Sequence, residues 1–218
     1  MISKDTVLLL KKAIKEYDKL VEKDYLIACT ISKNHPLEFY VFRIKKENFW
    51  HLLGCERINA VLNSEDLYDA FKSGRDIKND FSYTSTAHSC KEKYNVFMHL
   101  FNFVDHAKEI QICKTDGTPE QYQFKIVSGN YYGIIGYDNN TNGTAFPKSV
   151  QRKSISMINS NCMRISFILC KDTKESSFDY LSYCVSKKIF KTLLSELPDK
   201  YNTTFRDNPL LQPTLKLR

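Results

Sequence analysis

The chain has 218 residues, 42% apolar and 26% charged, and its 32 Lys and Arg exceed its 25 Asp and Glu to give a formal charge of +7. Fourteen Phe and 13 Tyr are ample for one packed core without help from a metal or a disulfide. No apolar run approaches the roughly 20 residues that span a bilayer. Lys and Asp interrupt the N-terminal leucines, so the chain is expected to be cytoplasmic, neither membrane-inserted nor exported. Its seven cysteines form no C-x-x-C pair and read as reduced thiols, without a zinc knuckle. The positive charge favours a polyanionic partner, though no dense basic tract concentrates it.

In chain order, Ser3 is placed to cap a helix whose apolar positions Val7, Leu10, Ala13, Ile14, Tyr17, Leu20 and Val21 recur at helical spacing to about Glu22. Tyr25 to Ile31 and Leu37 to Ile44, separated by Asn34-His35-Pro36, predict two strands in a hairpin. Lys46 to Leu53 predicts a short helix ended by Gly54, and Ser64 is expected to cap another that ends before Gly74. His88 to His106 resumes helical period. Ile110 to Cys113, Phe124 to Val127, Tyr131 to Tyr137, Arg164 to Lys171 and Phe178 to Cys184 are strand candidates, and Ser186 to Leu197 predicts a closing helix halted by Pro198.

Helices first and strands later imply an α+β class, with N-terminal helices packed on a mainly antiparallel sheet. We expect a single domain over residues 1–200, followed by a tail at 201–218, extended or disordered, that lacks periodicity and carries Pro209 and Pro213.

The stretch Phe39 to Gly54, F-Y-V-F-R-I-K-K-E-N-F-W-H-L-L-G, resembles phage-encoded nuclease-like domains grouped with barnase, EndoU, colicin nucleases and RelE, in which a strand leads into an N-F-x-H-L-x-G turn and helix. Looser matches follow in order: a helix ending near Asn102-Phe103, the strand Ile110 to Cys113, the turn Ser128-Gly129-Asn130, a strand ending Gly136-Tyr137, Ala145 to Ser149, and the strand Ile165 to Lys171. The likeness covers roughly Tyr25 to Leu197 and departs from the pattern at Trp50 and at Ala145-Phe146, where a Tyr and an aliphatic residue are usual. It implies the fold of that nuclease group and a toxin-like ribonuclease that needs no metal or cofactor. The expected partner is RNA, single-stranded or transfer RNA. A second reading is a non-catalytic phage protein of the same fold that binds and inhibits a host defence factor or RNA complex.

Metal-free RNA cleavage needs a base for the ribose 2′-hydroxyl, an acid for the leaving oxygen, and donors for the charged phosphorane. His51 is the candidate proton carrier, because imidazole titrates near neutral pH; the alternative is a helix histidine bonded to a backbone carbonyl. Lys148, Ser149 and Arg152, just after Pro147, are read as a turn that presents donors to a phosphate, or simply as a solvated basic turn. Lys171 ends an apolar strand where a transition-state charge could sit, and Asn130 either offers an amide to a phosphate or closes a tight turn. Trp50 either stacks an unpaired base or anchors the core. On a strand, alternation would send Tyr131 and Tyr137 to one face and Tyr132 to the other. His99 and His106 share a helix face two turns apart, a surface or packing arrangement, and His88 with Glu92 lacks a third metal ligand.

Overall fold

A computed structural model describes residues 2–32, 35–58, 61–115 and 124–205. Helix α1 (Lys4–Tyr17) starts at Ser3, whose hydroxyl accepts the Thr6 N–H at 3.1 Å. It is followed by the antiparallel hairpin β1 (Lys23–Thr30) and β2 (Glu38–Arg43). Helix α2 (Asn48–Leu52) leaves directly from β2 and leads into β3 (Cys55–Arg57). Helix α3 (Ser64–Lys72) is capped by the Asn63 side chain, one residue earlier than expected, because Asn63 Oδ1 takes the N–H groups of both Glu65 and Asp66.

The short strand β4 (Phe81–Tyr83) pairs with β3, a two-stranded ribbon too brief to show alternation in the sequence. Helix α4 (Ala87–Leu100) is shorter than its helical period. Asn102 captures the Asp105 N–H through Oδ1 at 3.3 Å and donates to the Asp105 carboxylate at 2.6 Å, which starts a turn where the helix would continue.

Strands β5 (Gln111–Lys114), β6 (Ile126–Gly129), β7 (Ile134–Asn139), β8 (Thr144–Gln151), β9 (Met163–Asp172) and β10 (Tyr180–Cys184) follow, and helix α5 (Lys187–Leu194) comes last. Pairing runs β1-β2-β8-β7-β6-β5-β9, and β9 pairs again with β1, so the ladder closes on itself; β10 adds to the free half of β9. Every pairing is antiparallel except β2 with β8, where Val41 faces Thr144 and Phe42 faces Ala145. The fold is therefore α+β, with helices on a mixed and mainly antiparallel sheet.

Strand β8 occupies residues read from sequence as a turn. Pro147 cannot donate to a ladder, but it sits at a bulge: Tyr137 faces Pro147 while Gly136 faces Ser149, leaving Lys148 as the extra residue. The parallel pairing with β2 stops at Ala145, and α2 packs along β8 beyond it. The chain thus turns from strand to helix beside a bulged strand edge.

The main core lies between the sheet and α1 to α4, centred on the fully buried ring of Tyr17, which stacks on Phe101 at 4.7 Å and meets Phe49 edge-on at 5.1 Å. The Tyr17 hydroxyl donates to the Lys45 carbonyl at 2.6 Å and so fixes the segment entering α2. On the opposite face, α5 packs over Leu26, Ala28, Phe167 and Leu169, and Tyr201 and Phe205 join that cluster. Residues 206–218, most of the expected tail, lie outside the described residues. All seven cysteines are free thiols, five of them buried. Among the described residues no helix is long and apolar enough to cross a membrane.

Candidate active site

Five residues make α2, and their order decides what faces out. Phe49, Trp50 and Leu52 are buried, with Leu53 behind them, while His51 is exposed. Asn48 lies one turn before His51, three residues apart and hence on the same side of the helix, and its Oδ1 is buried without a hydrogen-bond partner among the described residues. Gly54 ends the helix with φ +73°, the left-handed conformation that glycine adopts without strain.

Two cations bear on His51. Its pKa is lowered below the usual imidazole value by partial burial, then by the charges of Lys93 on α4 and Lys148 at the β8 bulge. Among the described residues the His51 side chain makes no hydrogen bond or ion pair, its backbone carbonyl alone accepting the Gly54 N–H at 3.0 Å, so the reading of its ring as tied to a backbone carbonyl is not what the structure shows. Lys148 is held by Asp138 on the neighbouring strand at 3.1 Å. Lys93 is half-buried and, among the described residues, has no carboxylate partner; burial lowers its pKa, and the nearby Cys90 and Cys55 thiols act the other way.

Lys93 lies close to Gly54: a Cβ at Gly54 would stand 3.3 Å from Lys93 Cδ and 3.6 Å from both Cys90 Cα and Thr84 Oγ1. The close approach of this glycine to α4 brings the histidine helix and the lysine together. Sequence reasoning missed Lys93, which lies within the predicted helical segment His88 to His106; the one available signal was a glycine directly after the histidine helix.

The other sequence candidates separate. Arg152 stands one residue past β8 rather than on a turn and reaches Glu92, the helical neighbour of Lys93, at 3.7 Å. Ser149 lies on β8 opposite Gly136, also not on a turn. Trp50 is 2% exposed, stacks on Phe81 at 4.1 Å and donates to the Ser64 carbonyl at 2.9 Å, so it anchors the core and cannot stack a base. Asn130 is buried, and its Oδ1 accepts the Tyr132 N–H at 2.8 Å, which assigns it to the β6–β7 turn.

Lys171 is on the wrong face. Phe167 and Leu169 on β9 pack under α5 while Ile168 and Cys170 face the main core, so alternation sends Lys171 to the side opposite His51. There it donates to the Glu175 carbonyl at 2.6 Å and lines a cavity of about 660 Å3 with Asp24, Lys114, Lys125 and Lys200. Tyr137 is fully buried and stacks on Phe42 at 4.2 Å, and Tyr131 precedes β7, so the expected alternation of the two does not arise.

Among the described residues no three His, Cys, Asp or Glu side chains converge as a metal site. What the site offers is one imidazole whose pKa is lowered by burial and by the charges of two lysines, a set suited to taking a proton and to stabilising a phosphate.

No curated protein and no solved structure matches the chain. The family model described as phage-Barnase-EndoU-ColicinE5/D-RelE like nuclease4 matches residues 9–196, and the chain belongs to that phage-type nuclease family.

Proposed function

We propose that the protein is a toxin-like endoribonuclease that cleaves single-stranded or transfer RNA in a host cytoplasm without a metal ion. The observation that carries this reading is an exposed His51 on α2, which packs against β8, the strand of Lys148, and ends at Gly54 beside Lys93, so that both lysine charges bear on the imidazole.

In this reading neutral His51 removes the proton of a ribose 2′-hydroxyl, and the resulting oxygen attacks the adjacent phosphorus. The bond to the 5′-oxygen breaks, leaving a 2′,3′-cyclic phosphate and a 5′-hydroxyl. Lys148, steadied by Asp138, offsets the charge on the phosphorane oxygens. Lys93 protonates the leaving oxygen, a task for which its lowered pKa makes it a better acid than an ordinary lysine. Arg152 then binds a neighbouring phosphate rather than the reacting one, and Ser149 lends its hydroxyl beside Lys148.

The test is an RNA strand carrying a single 2′-deoxy residue. Cleavage should fail at the phosphate 3′ to that residue and proceed elsewhere, with cyclic phosphate ends by mass spectrometry. Cleavage at the deoxy position, or products ending in 3′-hydroxyl and 5′-phosphate, would mean that water attacks and that this mechanism is wrong.

A further inference from the structure

Planar side chains gather around His99, near the C-terminal end of α4. The His106 and His99 rings lie 6.2 Å apart and nearly parallel at 20°. His99 meets the Tyr132 ring at 4.8 Å, and the Arg152 guanidinium sits over the other end of that contact, 5.7 Å from the Tyr132 centroid. Beside them Tyr131 is 82% exposed.

The arrangement is built in. Asn130 fixes the Tyr132 backbone, and Gly133 presses onto α4 so closely that a Cβ there would meet Val96 Cγ1 at 2.4 Å. That approach brings Tyr132 to His99. Glu92 holds Arg152 at 3.7 Å from the helix side. Helix α4 carries both His99 and Lys93, and β8 carries Lys148 and ends one residue before Arg152, so the row of rings adjoins the cations rather than standing apart from them.

We infer that Tyr132, with His99, Arg152 and the exposed Tyr131, forms a stacking platform for an unpaired nucleobase of the RNA strand whose phosphate lies at Lys93 and Lys148; this rests on the ribonuclease reading. Every base offers a π-face, so such a platform reads little sequence but requires the base to be unstacked, and it selects single strands and loops over duplex.

The experiment measures fluorescence anisotropy of a labelled, short 2′-O-methyl oligonucleotide, which has no free 2′-hydroxyl to attack, against an abasic strand of equal length and charge. The base-bearing strand should bind about tenfold tighter, the scale of one stacked base. That ratio should fall towards one in Tyr132→Ala, persist in Tyr132→Phe, and fall in His99→Ala, an exposed site whose loss leaves the fold intact.

Equal binding of the two strands by the native protein, or a ratio unmoved by both Tyr132→Ala and His99→Ala, would overturn the platform. If bases are required for binding while ordinary RNA is never cut, the platform stands and the nuclease reading falls.

Discussion

Gly54 and Lys93 approach each other across the α2–α4 junction so closely that Lys93 Cδ lies 3.3 Å from where a Gly54 Cβ would stand. Replacing Gly54 by Ala therefore has two separable costs. The φ of +73° imposes about 1 to 2 kcal/mol of left-handed strain on any L-residue. The new methyl also displaces Lys93. We expect Gly54→Ala to lower the melting temperature by several degrees and to cut the cleavage rate several-fold. In a Lys93→Ala background the stability loss should remain and the further rate loss should vanish, a cycle that isolates the contact.

The pH dependence follows from His51 and Lys93. His51 works unprotonated, so activity should fall as pH drops through a pKa below the usual 6.5, where a charged imidazole replaces the base. Lys93 works protonated, so activity should fall again as pH rises through a value below the usual 10.5. Removing a positive neighbour favours His51 protonation, so its pKa, followed by NMR of the ring proton, should rise in Lys148→Ala and in Lys93→Ala. An unmoved titration in both variants would mean that neither lysine reaches the imidazole.

Trp50 gives a control for the site. Trp50→Phe keeps a ring against Phe81 but leaves the Ser64 carbonyl without its donor. The expected loss is about 1 to 3 kcal/mol in urea unfolding, with cleavage per folded molecule unchanged. As the chain's one tryptophan, buried at 2% exposure, it should also keep its fluorescence when RNA binds. Strong quenching would put Trp50 back at the RNA surface.

Asp24 and Arg43 make an asymmetric pair, with Arg43 Nε and Nη2 at 2.6 and 2.7 Å from the two carboxylate oxygens. The Asp24 side chain is 4% exposed and that of Arg43 35%. Removing Arg43 strands a buried charge, whereas removing Asp24 lets the guanidinium turn to water. Arg43→Ala should therefore cost about 3 kcal/mol or more and Asp24→Ala less, both by chemical denaturation and without effect on His51.

Much of the fold was legible because periodicity reports local burial. The α1 stripe, the β1–β2 hairpin and the α2 stop at Gly54 all stand near where the sequence puts them. Strand β8 was hidden because Pro147 reads as a breaker, and only its placement at a bulge, set by β7, reconciles it with a ladder. Asn102 ends α4 through a side-chain contact that periodicity does not register.

At the site, the N-F-x-H-L-x-G segment made His51 visible, because burying Phe49, Trp50 and Leu52 forces the histidine outward. Its partners come from an α4 lysine and a bulged strand nearly 100 residues downstream, and long-range pairing of that kind leaves no local trace. Lys171 misled for the same reason: strand parity places it on one face or the other, and only the packing of Phe167 and Leu169 under α5 decides which.

The measurement that bears most directly on the central claim is a gel assay of labelled single-stranded and transfer RNA with excess EDTA, comparing the native protein with His51→Ala. The account predicts cleavage by the native protein and a loss of at least about a hundredfold in the variant, with both proteins unfolding at similar temperatures. Cleavage that disappears with EDTA, or a folded His51→Ala that cuts at the native rate, would contradict it.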